Sequence, residues 1–120
     1  MEYLIFVIIA WILWKIFFSK NNSKIILGYE GELKDNKRHG KGTYISNNGN
    51  KYEGDWFEDQ KHGVGTYTWS DGDKYEGDWF EDLMHGEGIF TWSDGNKYEG
   101  EFEKDKKKGR GTYTWPDGDK

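Results

Sequence analysis

A chain of 120 residues without cysteine has room for one small domain, and disulfides or thiolate metal sites are excluded. The formal charge of −5 is concentrated between residues 52 and 97. No long basic face exists to neutralise phosphates, which excludes nucleic acid as a partner.

In chain order the first element is apolar. Residues 3–14 form an unbroken apolar and aromatic run, which resumes after Lys15 with Ile16, Phe17 and Phe18. A membrane-spanning helix takes ~20 such residues and at least about 17, so this stretch is short but usable. Lys15 lies near the end of the stretch, where its stem can reach the interface, and Trp11 and Trp14 suit headgroup depth. Glu2 stands where a cleaved signal peptide has a basic start, and no small-residue cleavage site follows Phe18. The sequence thus predicts an uncleaved transmembrane signal-anchor helix over residues 1–20, with residues 4–18 in the membrane, and a linker over 21–28. Lys15, Lys20 and Lys24 follow the apolar run, so the positive-inside rule predicts a single-pass protein whose remaining residues are cytoplasmic.

The rest of the chain is periodic. Tyr-Glu-Gly recurs at Tyr29, Tyr52, Tyr75 and Tyr98, each 23 residues after the last, which defines units 29–51, 52–74, 75–97 and 98–120. Each unit also holds a Gly-x-Gly (Gly63 and Gly65 in the second) and a closing glycine such as Gly72. Residues 52–56 and 63–69 alternate in the manner of half-buried strands. The first puts Tyr52, Gly54 and Trp56 on one face, and the second puts Gly63, Gly65, Tyr67 and Trp69 there. Residues 58–62 are expected to join them, and Asp71-Gly72, with Asn48-Gly49, Asp94-Gly95 and Asp117-Gly118, is expected to form type I′ turns.

The predicted fold is all-β, a single elongated antiparallel sheet of tandem 23-residue β-hairpins after one transmembrane α-helix. One face is a ladder of rings with no second layer over it, so it either packs on itself or awaits a partner. The candidate binding face is Tyr52, Trp56, Tyr67, Trp69, Tyr75, Trp79, Phe90, Trp92, Tyr98, Phe102, Tyr113 and Trp115.

The unit Tyr52-Glu53-Gly54-Asp55-Trp56, followed by His62-Gly63-Val64-Gly65 and Asp71-Gly72, resembles the MORN (membrane occupation and recognition nexus) repeat. The resemblance implies a module that binds proteins or membranes and performs no catalysis. The family's usual glycine at the eighth position is replaced by Asn36, Asp59, Asp82 and Asp105. Leu33 and Ser46 stand where later units carry Trp or Phe and Trp, which marks the first unit as a cap.

Chemistry has few candidates. His39, His62 and His85 occupy one place in successive units and so should lie ~10 Å apart, too far to share an ion, and are expected to be hairpin-turn residues. No nucleophile set, phosphate loop or cofactor fingerprint occurs, so no enzyme, cofactor or metal is expected. The expected function is a membrane-anchored scaffold for an unknown protein partner. The alternatives are direct phospholipid binding and a regulatory fragment of a larger enzyme. Lipid headgroups rank lower because the central units are acidic. Residues 111–115 are expected to form an edge strand that pairs tail to tail in a homodimer.

Overall fold

The computed structural model describes residues 28–120; the expected anchor at residues 4–18, and the linker apart from Gly28, lie outside the described residues. The described residues form one antiparallel sheet of eight strands in chain order, with no helix. The strands are β1 (Tyr29–Lys34), β2 (Lys37–Ile45), β3 (Lys51–Phe57), β4 (Gln60–Thr68), β5 (Lys74–Phe80), β6 (Leu83–Thr91), β7 (Lys97–Glu103) and β8 (Lys106–Thr114). Each unit is one hairpin. Tyr52 faces Tyr67, Gly54 faces Gly65 and Trp56 faces Lys61 across β3 and β4, so the alternating rings and glycines share a face.

The tight turns are not where the Asp-Gly pairs suggested. The segment expected to join the strands shrinks to two residues, Glu58-Asp59, because Gln60, Lys61 and His62 already belong to β4. A type I′ turn needs positive φ at both central residues. Glu58 (50°) and Asp59 (68°) supply it, as do Asp35 and Asn36, Glu81 and Asp82, and Lys104 and Asp105. Around Asp71-Gly72 only Gly72 has positive φ, 100°, and it closes a five-residue loop between Thr68 and Lys74. There the Gly72 N–H donates to the Trp69 carbonyl (3.0 Å) and the Trp69 N–H to the Asp73 carbonyl (2.9 Å).

The aspartates at the eighth position have a reason that glycine could not supply. The Asp59 N–H donates to the Arg38 carbonyl at 3.0 Å, while the Asp59 carboxylate accepts the Arg38 N–H at 2.7 Å. Asp82 treats Lys61 likewise (3.1 and 2.8 Å), and Asp105 does so with Met84 (3.1 and 2.8 Å). Each turn is thereby stapled to the preceding hairpin. The Arg38 N–H holds the Asp59 carboxyl below the usual carboxylate range; slight burial opposes this and the Arg38 guanidinium adds to it.

A second device shapes the hairpin itself. Between the pairs Gly54–Gly65 and Trp56–Lys61, β3 has one residue and β4 has three, which makes a bulge at His62, Gly63 and Val64. The Val64 N–H, displaced from the ladder, donates to the Asp55 carboxylate at 3.0 Å, and the Glu87 N–H donates to Asp78 at 3.0 Å. Burial would raise the Asp55 carboxyl, but Lys41 and the Val64 N–H together hold it below the ordinary range. The loops are also linked, since the Ser70 N–H donates to Asn50 (2.8 Å) and the Ser93 N–H to Asp73 (2.8 Å).

The staple generates a ranking. Asp82→Ala keeps a left-handed residue without its carboxylate bond, so the loss is a hydrogen bond of about 1 kcal/mol in addition to strain of ~1–2 kcal/mol that no local bond offsets. Asp82→Gly loses the bond but relieves the strain, and it should stay within about 1 kcal/mol of the parent. Urea unfolding of both variants checks this, and an alanine variant as stable as the glycine one would remove the argument.

Candidate functional site

The ring-bearing face is built from contacts between aromatic rings and glycine backbone. A Cβ placed on Gly65 would lie 2.3 Å from the Tyr52 hydroxyl and 2.5 Å from Cζ, so only glycine lets the Tyr52 ring settle on β4. Tyr75 rests on Gly88 and Tyr98 on Gly111 in the same way. The ring's position delivers its hydroxyl to a backbone carbonyl three residues on: Tyr52 to Asp55 at 2.7 Å and Tyr75 to Asp78 at 2.8 Å. The indole N–H of Trp56 donates to the Gly42 carbonyl (3.0 Å) and that of Trp79 to the Gly65 carbonyl (3.1 Å), which ties each unit to the previous one. Rings meet edge to face, Tyr52 with Trp79 at 5.4 Å and Tyr75 with Phe102 at 5.0 Å.

The structure divides the expected binding face into two rows. Tyr52, Trp56, Tyr75, Trp79, Tyr98 and Phe102 are buried, and with Met84 they form the core. Tyr67, Trp69, Phe90, Trp92, Tyr113 and Trp115 remain partly open to solvent. The open row is continuous. Ring centroids run from Tyr67 to Trp69 (4.6 Å), Phe90 (5.3 Å), Trp92 (4.7 Å), Tyr113 (6.1 Å) and Trp115 (6.2 Å).

Sequence reasoning missed the cations that line these rings. The Arg38 guanidinium lies 4.3 Å from the Trp56 ring centre, the Lys61 ammonium 5.2 Å from Trp79 and the Lys107 ammonium 4.7 Å from Trp92. Met84 fills the same place in the third unit and is buried. The signal was available, because Arg38, Lys61, Met84 and Lys107 share one position in the 23-residue period.

The histidines need a correction. They are strand residues of β2, β4 and β6 rather than turn residues, because the turns are only two residues long. On the face opposite the core they alternate with phenylalanines: His39 to Phe57 (5.4 Å), Phe57 to His62 (5.6 Å), His62 to Phe80 (5.4 Å) and Phe80 to His85 (5.8 Å). Among the described residues no group of three or more His, Asp or Glu side chains is placed to hold a metal ion.

Four stacked units with this ring and glycine arrangement are matched at residues 29–51, 52–74, 75–97 and 98–120 by the model of the MORN repeat. The chain belongs to the MORN repeat family. No curated protein matches it. MORN repeats are a non-catalytic module of protein and membrane interaction, and in this MORN array the recurring residues of the unit are accounted for by packing: the tyrosines and glycines build the core, and the acids complete turns and bulges.

Two measurements test the MORN core. Tyr52→Phe and Tyr75→Phe each remove a hydroxyl that serves a carbonyl and should each cost about 1 kcal/mol, whereas the buried Tyr98 hydroxyl has no hydrogen-bond partner among the described residues and Tyr98→Phe should be neutral or stabilising. Thermal unfolding of the three variants decides; equal losses would contradict the hydrogen-bond account. Burial pushes Tyr29 up to about 12, and it raises Tyr52 and Tyr75 as well. An unfolded tyrosine ionises near 10, so the unfolded chain loses these protons first; the stability is intact below that pH and drains away above it. Tyrosinate absorbance during alkaline titration should therefore rise in step with loss of the β-sheet circular dichroism rather than before it.

Proposed function

We propose that the chain is a membrane-anchored MORN scaffold whose open row of rings holds a protein partner. The observation that carries this reading is the division of the aromatic face. Six rings are consumed in a self-supporting core, and the remaining six form an unbroken, partly exposed stripe that the fold leaves to an outside contact. Rings of this kind supply a large contact area at low entropic cost. Residues 4–18 provide a short but usable apolar stretch for the anchor, and Lys15, Lys20 and Lys24 favour a cytoplasmic array. The outer edge of β8, the last strand of the sheet, is where a second copy would pair tail to tail.

Direct headgroup binding ranks below this reading on electrostatic grounds. The second and third units hold three Lys or Arg against twelve acids. In the fourth unit Lys107 lies over rings and Lys108 is bridged to Glu103 at 3.1 Å, so the basic cluster is partly engaged. An anionic surface gains about 1 kcal/mol per nearby cation, and repulsion by the central acids reduces that gain.

The anchoring part is checked by alkaline carbonate extraction. The full chain should remain with the bilayer pellet, and a chain lacking residues 1–20 should be released; full-length protein in the supernatant would rule the anchor out.

A further inference from the structure

We propose that the face opposite the rings docks a basic amphipathic segment of another protein, seated on Phe57, Phe80 and Leu83 with its cations against Glu81, Glu87 and Glu101. This goes beyond the ring-stripe reading, because it concerns the other side of the sheet.

Three observations carry it. The first is apolar exposure in a confined strip: Phe57 is 51% exposed, Phe80 48% and Leu83 36%, and each of the first two lies between two tilted histidine rings. Large apolar groups fixed in place and left to water are the usual anchors of an interface. A depression of about 210 Å³ lies between Phe80, Glu81, Leu83, His85 and Lys104.

The second is where the strip stops. In the first unit Lys34 stands in the place of Phe57, and in the fourth the Phe and His places are taken by Glu103 and Lys108, which form an ion pair at 3.1 Å. The ladder thus spans β2 to β6, about 19 Å at ~4.8 Å per strand spacing, which matches a helical segment of ~13 residues at ~1.5 Å each.

The third is charge. At the cross-strand position where Lys41 is ion-paired with Asp55, the next junction sets Val64 against Asp78, and the third sets Glu87 directly against Glu101. Among the described residues neither Glu87 nor Glu101 is in an ion pair; Lys108 faces Glu101 on its other side, but its ammonium is bridged to Glu103, so the like charges of Glu87 and Glu101 remain opposed, which is unfavourable. Glu81, at the tip of the same unit, is also without an ion pair among the described residues. Lysines or arginines flanking an apolar stripe complement this arrangement, whereas an anionic bilayer is repelled by it.

The test uses the full-length chain, placed in zwitterionic nanodiscs if it extracts as a membrane protein and used directly if it does not. Failure of the anchor therefore leaves this proposal open to measurement. The ligand is a fluorescent 13-residue helical peptide of Leu and Lys, with apolar residues at three- and four-residue spacing. A version with Glu in place of Lys and phosphatidylserine vesicles are the competitors. Lys104 already occupies the turn position equivalent to Glu81, at φ 49° against 48°, so Glu81→Lys should leave the fold intact. Near-ultraviolet circular dichroism confirms that for both this variant and Phe80→Ser. The basic peptide should bind the parent chain, lose about tenfold or more in affinity with either variant, and weaken as salt rises. Equal binding of the acidic peptide, unchanged affinity in both variants, preferential capture of the chain by the vesicles, or loss of affinity in Trp69→Ser but not in Phe80→Ser would each overturn the proposal.

Discussion

A tyrosine ring lying on a glycine of the neighbouring strand is the contact from which the rest of this sheet follows. A single-layer sheet has no helix or second sheet to cover it, so its own side chains must exclude water. Tyr52 does so by lying across β4 at Gly65, and Gly54 allows the strand beneath to come so close that a Cβ there would meet the Gly65 Cα at 2.4 Å. Once the ring lies flat, its hydroxyl reaches the Asp55 carbonyl at the bulge, and the Asp55 side chain is free to receive the Val64 N–H from the other side. Trp79 then closes edge-on against Tyr52, and its indole N–H returns to the Gly65 carbonyl. Ring, bulge and inter-unit bond are one assembly, and the period of the sequence is the period of that assembly.

The faces divide the labour. The ring side is insulated by burial and topped by Arg38, Lys61 and Lys107, whose charged groups lie over the rings themselves; the Lys61 side chain is only 19% exposed. The opposite side keeps Phe57 and Phe80 in the open and carries strand acids such as Glu87 and Glu101 beside them. A sheet with two such unlike surfaces can meet two partners of different character without either competing for the same residues.

Much of this was legible in the sequence, and the failures have physical causes. Tyr-Glu-Gly and Gly-x-Gly at constant spacing gave the hairpins, the ring-bearing face and the order of strands, because period-two alternation and glycine placement are backbone requirements. The turn assignment went astray because Asp-Gly serves a two-residue and a five-residue connection alike, while Glu58 and Lys104 are poor advertisements for the positive φ they adopt. What tolerates that conformation is the staple to the preceding hairpin, a bond between residues 21 apart that no local pattern displays. The division of the rings into buried and open rows was hidden for a similar reason, since it depends on which ring lies over glycine and which stands between loops.

Proline at position 116 has a consequence for how the array gives way. It occupies the place of Ser70 and Ser93 but has no N–H to donate to the loop before it, and Phe102, at the place of Trp56 and Trp79, has no indole N–H to return to the preceding unit. With Glu87 and Glu101 opposed as well, the last junction keeps the Asp105 staple but loses the two hydrogen bonds that both its neighbours possess. In a quasi-one-dimensional stack each unit is held chiefly by the one beside it. The fourth hairpin is therefore the loose tooth of the zipper, the place where thermal breathing begins and where a mechanical load would first part the sheet, leaving the three hairpins before it closed.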